Sequence, residues 1–250
     1  MLIRSLAISI ALLAPGAVSA QARECAQSPG KVIELCVEVS GGKALYSVSR
    51  GGTALLAPAQ LGLSFAGEED ARFTALGDTQ RKSVDTSWEQ PWGEQRLIRD
   101  RHNELSVTLT GDTALNRKVG VTFRLFDDGI GFRYAYDGVP GQAVKVAAER
   151  TQFKPVGNYQ AWWYQALGQE RDEYLYTQTD ARRITLAETP LTLKGDNGVY
   201  LSFHEAALVD FPSMLLAGNG SGTLTASLMP APDGTAATKT GAFTTPWRTV

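Results

Sequence analysis

The stretch Val119 to Tyr136, VGVTFRLFDDGIGFRYAY, holds two alternating runs around a turn. Val119, Val121, Phe123 and Leu125 share one face of the first run, and Ile130, Phe132, Tyr134 and Tyr136 one face of the second. Asp127-Asp128-Gly129 separates them. Asp-Gly between alternating runs is a strong hairpin signal, because such residues tolerate the positive φ that tight hairpin turns require. The stretch therefore predicts an antiparallel hairpin with one buried face.

Period-2 patterning extends outward from it. Upstream, Ile33, Leu35, Val37 and Val39 alternate, the pair Gly41-Gly42 turns the chain, and Ala44, Tyr46 and Val48 follow. Leu61, Leu63 and Phe65 form a third run, and Leu105, Val107 and Leu109 another. Downstream, strands are predicted over 184–186, 191–193, 199–203 and 224–228. No stretch sustains an apolar 3.6 period; the segment Trp162 to Leu167 and the piece after Glu205 are expected to form at most short helices. The pattern predicts an all-β domain over residues 21–250, a large antiparallel β-sandwich of two sheets.

Residues 1–20 read as a signal peptide. Arg4 supplies the charged start, Leu6 to Ala14 the apolar core, and Val18-Ser19-Ala20 the small-residue cleavage site. The core is too short to anchor the chain in a membrane, so an exported protein, periplasmic or extracellular, is expected. The 24 basic and 26 acidic residues are nearly balanced and form no basic run, which argues against a nucleic-acid partner. Cys25 and Cys36 are the only cysteines, and in an oxidising compartment a disulfide between them is expected.

Three segments hold residues that core packing does not explain. Trp88, Trp92 and Glu94 lie in Ser87 to Glu94, a loop suited either to stacking on sugar rings or to plugging the fold from beneath. Trp162 and Trp163 lie in Tyr159 to Arg171, which suits carbohydrate, a partner surface, or a wedge between sheets. His204-Glu205 ends an alternating strand; the carboxylate there is either solvated or a ligand reaching out of the sheet. His102 is expected to be solvated in a polar turn. No nucleophile elbow, zinc-protease motif, P-loop or dinucleotide fingerprint occurs, and no residue is assigned as catalytic.

Together, Pro91 to Glu94 (PWGE), Phe126 to Tyr134 (FDDGIGFRY), Glu188 to Lys194 (ETPLTLK), Tyr200 to Leu208 (YLSFHEAAL) and Thr245 to Val250 (TPWRTV) resemble the N-terminal domain of glycoside hydrolase family 97. The resemblance implies a super-sandwich related to galactose mutarotase-like domains, followed in family members by a catalytic (β/α)8 barrel that this chain lacks. It implies an exported, calcium-dependent enzyme acting on α-linked oligosaccharides, of which this chain is a truncated part, inactive alone. It implies that a glutamate of this domain reaches the calcium ion; Glu205 is the best match and Glu188 the second. A free-standing carbohydrate-binding module and a mutarotase-like enzyme are the other two readings.

Titration of unreduced, denatured, exported protein is expected to find no free thiol. The bridge across so short a loop should contribute about 3 kcal/mol at most; two titratable thiols would contradict the pairing.

Overall fold

The computed structural model describes residues 23–112, 118–166 and 174–250. The proposed signal peptide and the part of the aromatic segment from Leu167 to Arg171 lie outside the described residues. The chain opens with a meander of β1 (Arg23–Gln27), β2 (Ile33–Ser40), β3 (Lys43–Arg50) and β4 (Thr53–Leu61). After β5 (Leu63–Phe65) comes a second meander: β6 (Arg72–Glu89), β7 (Leu97–Asp112), β8 (Val119–Leu125) and β9 (Ile130–Tyr136). Then follow β10 (Ala143–Glu149), β11 (Gln152–Phe153), β12 (Tyr159–Trp163), β13 (Thr177–Asp180), a single 3-10 turn (Ala181–Arg183) and β14 (Leu186–Ala187). The chain closes with β15 (Leu191–Gly195), β16 (Tyr200–Ala206), β17 (Met214–Gly218), β18 (Leu224–Leu228), β19 (Ala237–Thr240), β20 (Phe243–Thr244) and β21 (Trp247–Thr249).

One layer is a ten-stranded sheet in the order β13-β12-β15-β16-β21-β9-β8-β7-β6, with β20 also paired to β9. The other layer comprises three smaller sheets, β1-β2-β3-β4, β19-β10-β5 and β11-β18-β17-β14, rather than one large sheet. Backbone bonds stitch these three together: Arg150 N–H to Gly62 O, Ala57 N–H to Lys154 O and Ala226 N–H to Thr151 O. The predicted hairpin is present, with Leu125 opposite Ile130. Gly62, at φ +150°, breaks the run read as one strand from Leu61 to Phe65 into β4 and β5. Cys25 and Cys36 face each other across β1 and β2 and are joined by a disulfide.

The core between the layers is an aromatic seam. Tyr46 of β3 packs on Phe132 of β9 at 5.3 Å between ring centres, and Phe153 of β11 on Phe203 of β16 at 5.0 Å. Beside the seam lies a buried charge cluster. Arg248 and Glu205 are cross-strand neighbours on β21 and β16, and both face inward. Arg248 Nη1 donates to Glu205 Oε2 at 2.5 Å, and Nη2 to Oε2 of Glu149, from the opposite layer, at 2.7 Å. A relay completes the cluster. Gly62 N–H donates to Tyr134 Oη, Tyr134 O–H to Thr151 Oγ1, and Thr151 O–H to Glu149 Oε1 at 2.7 Å. Burial, and then the charge of Glu149, push the Tyr134 phenol far above its usual range, so it stays a donor. Burial disfavours the Arg248 charge, but Glu149 and Glu205 outweigh it and raise its pKa.

Arg248→Met should cost about 3–5 kcal/mol, because it strands two buried carboxylates. Urea denaturation should show that loss, and the added changes Glu149→Leu and Glu205→Leu should recover most of it. An unchanged midpoint in the single variant would contradict the assignment.

Candidate functional site

The sheet register sorts the candidate residues onto two ends of the sandwich. At one end β16 stops at Ala206, opposite the first residue of β21, Trp247. The same end holds Leu191, which starts β15 opposite Phe203, and Trp163, which ends β12 opposite Thr177. At the other end lie the turn at Asp127–Gly129 and the residues of β7 that precede Asn103. There β6 and β7 run on past the sheet as a bare two-stranded ribbon, whose turn carries Trp92 and Glu94.

Glu205 is not exposed at a rim. The alternation that sends Val199, Leu201 and Phe203 inward continues to Glu205, and the strand carries the carboxylate into the core. Both its oxygens are used: Oε2 accepts from Arg248, and Oε1 from the backbone N–H of Met214 at 3.2 Å. It stands as a structural ion-pair member, and its expected exposure is corrected. His204, its neighbour, points to the exposed outer face.

Glu188 is placed differently. It is half-buried just after β14, where its N–H donates to Tyr164 O at 3.2 Å, and it precedes the cis Thr189–Pro190 peptide. Thr189 Oγ1 reaches Met214 O, which ties this turn to the loop from Ala207 to Ser213. That loop contains two non-glycine residues at positive φ, Ala207 at +54° and Asp210 at +49°. Between them Leu208 and Val209 are turned outward, Val209 to 77% exposure. On the same end Leu175 is 95% exposed, and the exposed Tyr176 leans on Tyr164 at 5.1 Å between ring centres. Glu188 therefore shares this end of the sandwich with uncovered apolar side chains.

The aromatic segment does not form one surface. Tyr159, Ala161 and Trp163 face the core as part of a strand, not a helix, and Trp163 Nε1–H is bonded to Thr179 Oγ1 at 3.0 Å. Trp163 is thus a core wedge and not a sugar contact; only Trp162, half-buried, lies on the outer face. His102 is likewise corrected: it is buried in β7, with Nδ1 2.6 Å from Asp100 Oδ1 and its ring against Phe126. Trp88, Trp92 and Glu94 are exposed on the ribbon, away from Glu188.

Calcium takes roughly six to eight oxygen ligands. Among the described residues no group of three or more His, Cys, Asp or Glu side chains converges on one point. The described residues do not by themselves make up a complete calcium site.

The sequence matches the family model "Glycosyl-hydrolase 97 N-terminal" over residues 26–250. The chain belongs to the N-terminal domain family of glycoside hydrolase family 97. A solved family 97 enzyme from a Pseudoalteromonas species, in complex with acarbose, superposes with a TM-score of 0.86 and 35% identity. That match covers 90% of this chain and 35% of the other. A complex of the same species' family 97 enzyme with panose matches equally well. A β-arabinopyranosidase shares the fold at a TM-score of 0.75 and 23% identity. A Streptomyces bingchenggensis protein named "Probable retaining alpha-galactosidase" is 27% identical over 133 residues, 53% of this chain and 20% of that one. The chain thus spans about a third of its solved relatives and a fifth of the curated one.

Arg248, Glu149 and the ribbon escaped the sequence reading. The first had a usable signal, since Glu205 continues the core-facing register of Phe203 and needs a buried cation. The ribbon had none, because it has no buried face to write an apolar period.

Proposed function

We propose that this domain is the accessory N-terminal part of an exported, calcium-dependent α-glycosidase acting on α-linked oligosaccharides. In this reading its Glu188 end packs against the catalytic barrel and contributes one carboxylate to the calcium shell. The observation that carries the reading is the rim itself: Leu175, Tyr176, Leu208 and Val209, all uncovered, share one end of the sandwich with Glu188. Scattered exposed apolar residues are ordinary, but a group of large ones at one end marks a contact surface. The acarbose and panose complexes of the solved relatives, and the name of the curated one, support the substrate class. The Cys25–Cys36 disulfide supports export.

The charge cluster at Arg248 holds β16 and β21, whose ends form part of that end of the sandwich. Calcium, when bound, would supply positive charge at the junction. This chain's part is to present Glu188 from a turn tied to Tyr164 and Met214, and to exclude water with the apolar rim.

In a full-length family member carrying this domain, Glu188→Gln should weaken calcium binding tenfold or more while leaving thermal stability unchanged. Glu205→Gln should do the reverse, lowering stability by about 1–3 kcal/mol with little change in calcium affinity. Calorimetric titration and thermal melts read the two effects. Unchanged calcium affinity in the Glu188 variant would sink the proposal.

A further inference from the structure

The ribbon is the feature that the accessory role leaves unused. Residues 85–99 have no second layer beneath them, and almost every side chain there is exposed. A bare two-stranded ribbon is marginal in water, and this one is held by its own cross-strand pairs. Arg99 grips Asp85 through two bonds of 2.7 and 2.8 Å, and Arg96 pairs with Glu89 at 3.1 Å. At its turn, Gln90 N–H donates to Arg96 O at 3.0 Å, and the Gln90 side-chain amide bonds Gln95 O. The turn is therefore braced from beneath, yet Trp92 at its crest is 82% exposed and Trp88 at its shoulder 52%.

Two exposed tryptophans on a braced support are costly unless something covers them. Their uncovered surface, with that of Leu97, is roughly 400 Å². The neighbouring carboxylates Glu89 and Asp85 are paired with arginine, which leaves Glu94 as the free carboxylate beside the rings. Flat apolar rings with hydrogen-bonding side chains alongside, here Glu94 and Gln95, match the C–H face and hydroxyl rim of a pyranose.

We propose that the ribbon turn is a carbohydrate-binding site, with Trp92 and Trp88 stacking on pyranose rings of an α-linked glycan. The choice of an α-linked glycan rests on the function proposed above; the aromatic site does not. Because the ribbon leaves the sheet at the end opposite Glu188, the site would hold polymer away from the barrel junction, as a tether rather than as part of the reaction centre.

Native affinity electrophoresis through soluble starch and through galactomannan, whose branches are α-galactosyl units, tests this on the purified chain. Retardation is expected in at least one gel, with Trp88→Ala/Trp92→Ala raising the apparent dissociation constant about tenfold or more. Trp92→Tyr, which keeps a ring, should retain binding, and Trp162→Ala should bind as the parent does. No retardation in either gel overturns the proposal, as does retardation that survives the double change. So does a loss of self-association in the double variant without any sugar binding, which would make the turn a contact between copies. None of these outcomes bears on Glu188, whose test reads calcium.

Discussion

A single guanidinium between two carboxylates holds the two layers of this domain in register. Arg248 joins its own sheet to the opposite layer through Glu149 and to the neighbouring strand through Glu205. The desolvation of three charges is expensive, and well-packed aliphatic side chains would be no less stable. What the cluster adds is direction. A leucine tolerates a sliding contact, whereas the Arg248 fork donates to two partners at fixed angles. The relay through Thr151 and Tyr134 to Gly62 spreads that constraint to the point where β4 gives way to β5.

The register explains how the two ends of the sandwich come to differ. One end gathers uncovered apolar side chains around the turn that holds Glu188. The other continues as a ribbon stabilised by its own arginine–carboxylate pairs. Strand direction decides which end each residue occupies, and the residues adjacent in sequence, such as His204 and Glu205, can differ completely in environment.

How much of this was legible follows from where alternation has a cause. A strand with one face in the core writes an apolar residue at every second position, so β2, β3, β8, β9 and β16 could be read directly. The same rule, extended one step, places Glu205 inside; a preference for solvated carboxylates at strand ends conceals it. Trp163 stays ambiguous in the sequence for a related reason: Tyr159, Ala161 and Trp163 alternate, but the adjacent Trp162 and Tyr164 disguise the period. The 18-residue strand β6 was invisible because most of its length faces water on both sides. The division of the second layer into three sheets depends on which edges meet, and nothing in a local window encodes that.

Strand β6 is also an edge of the ten-stranded sheet, with no ladder partner on its outer side among the described residues. So long an open edge would invite a second molecule to add its own strand. Two irregularities, between Phe73 and Ala75 and between Leu76 and Thr79, interrupt the flat run of backbone. Further along, Arg81, Lys82, Asp85 and Glu89 set charges of both signs along it. An approaching copy would have to bury those charges and straighten those kinks to gain its hydrogen bonds. The protein can thus keep a long ribbon in water without polymerising through it.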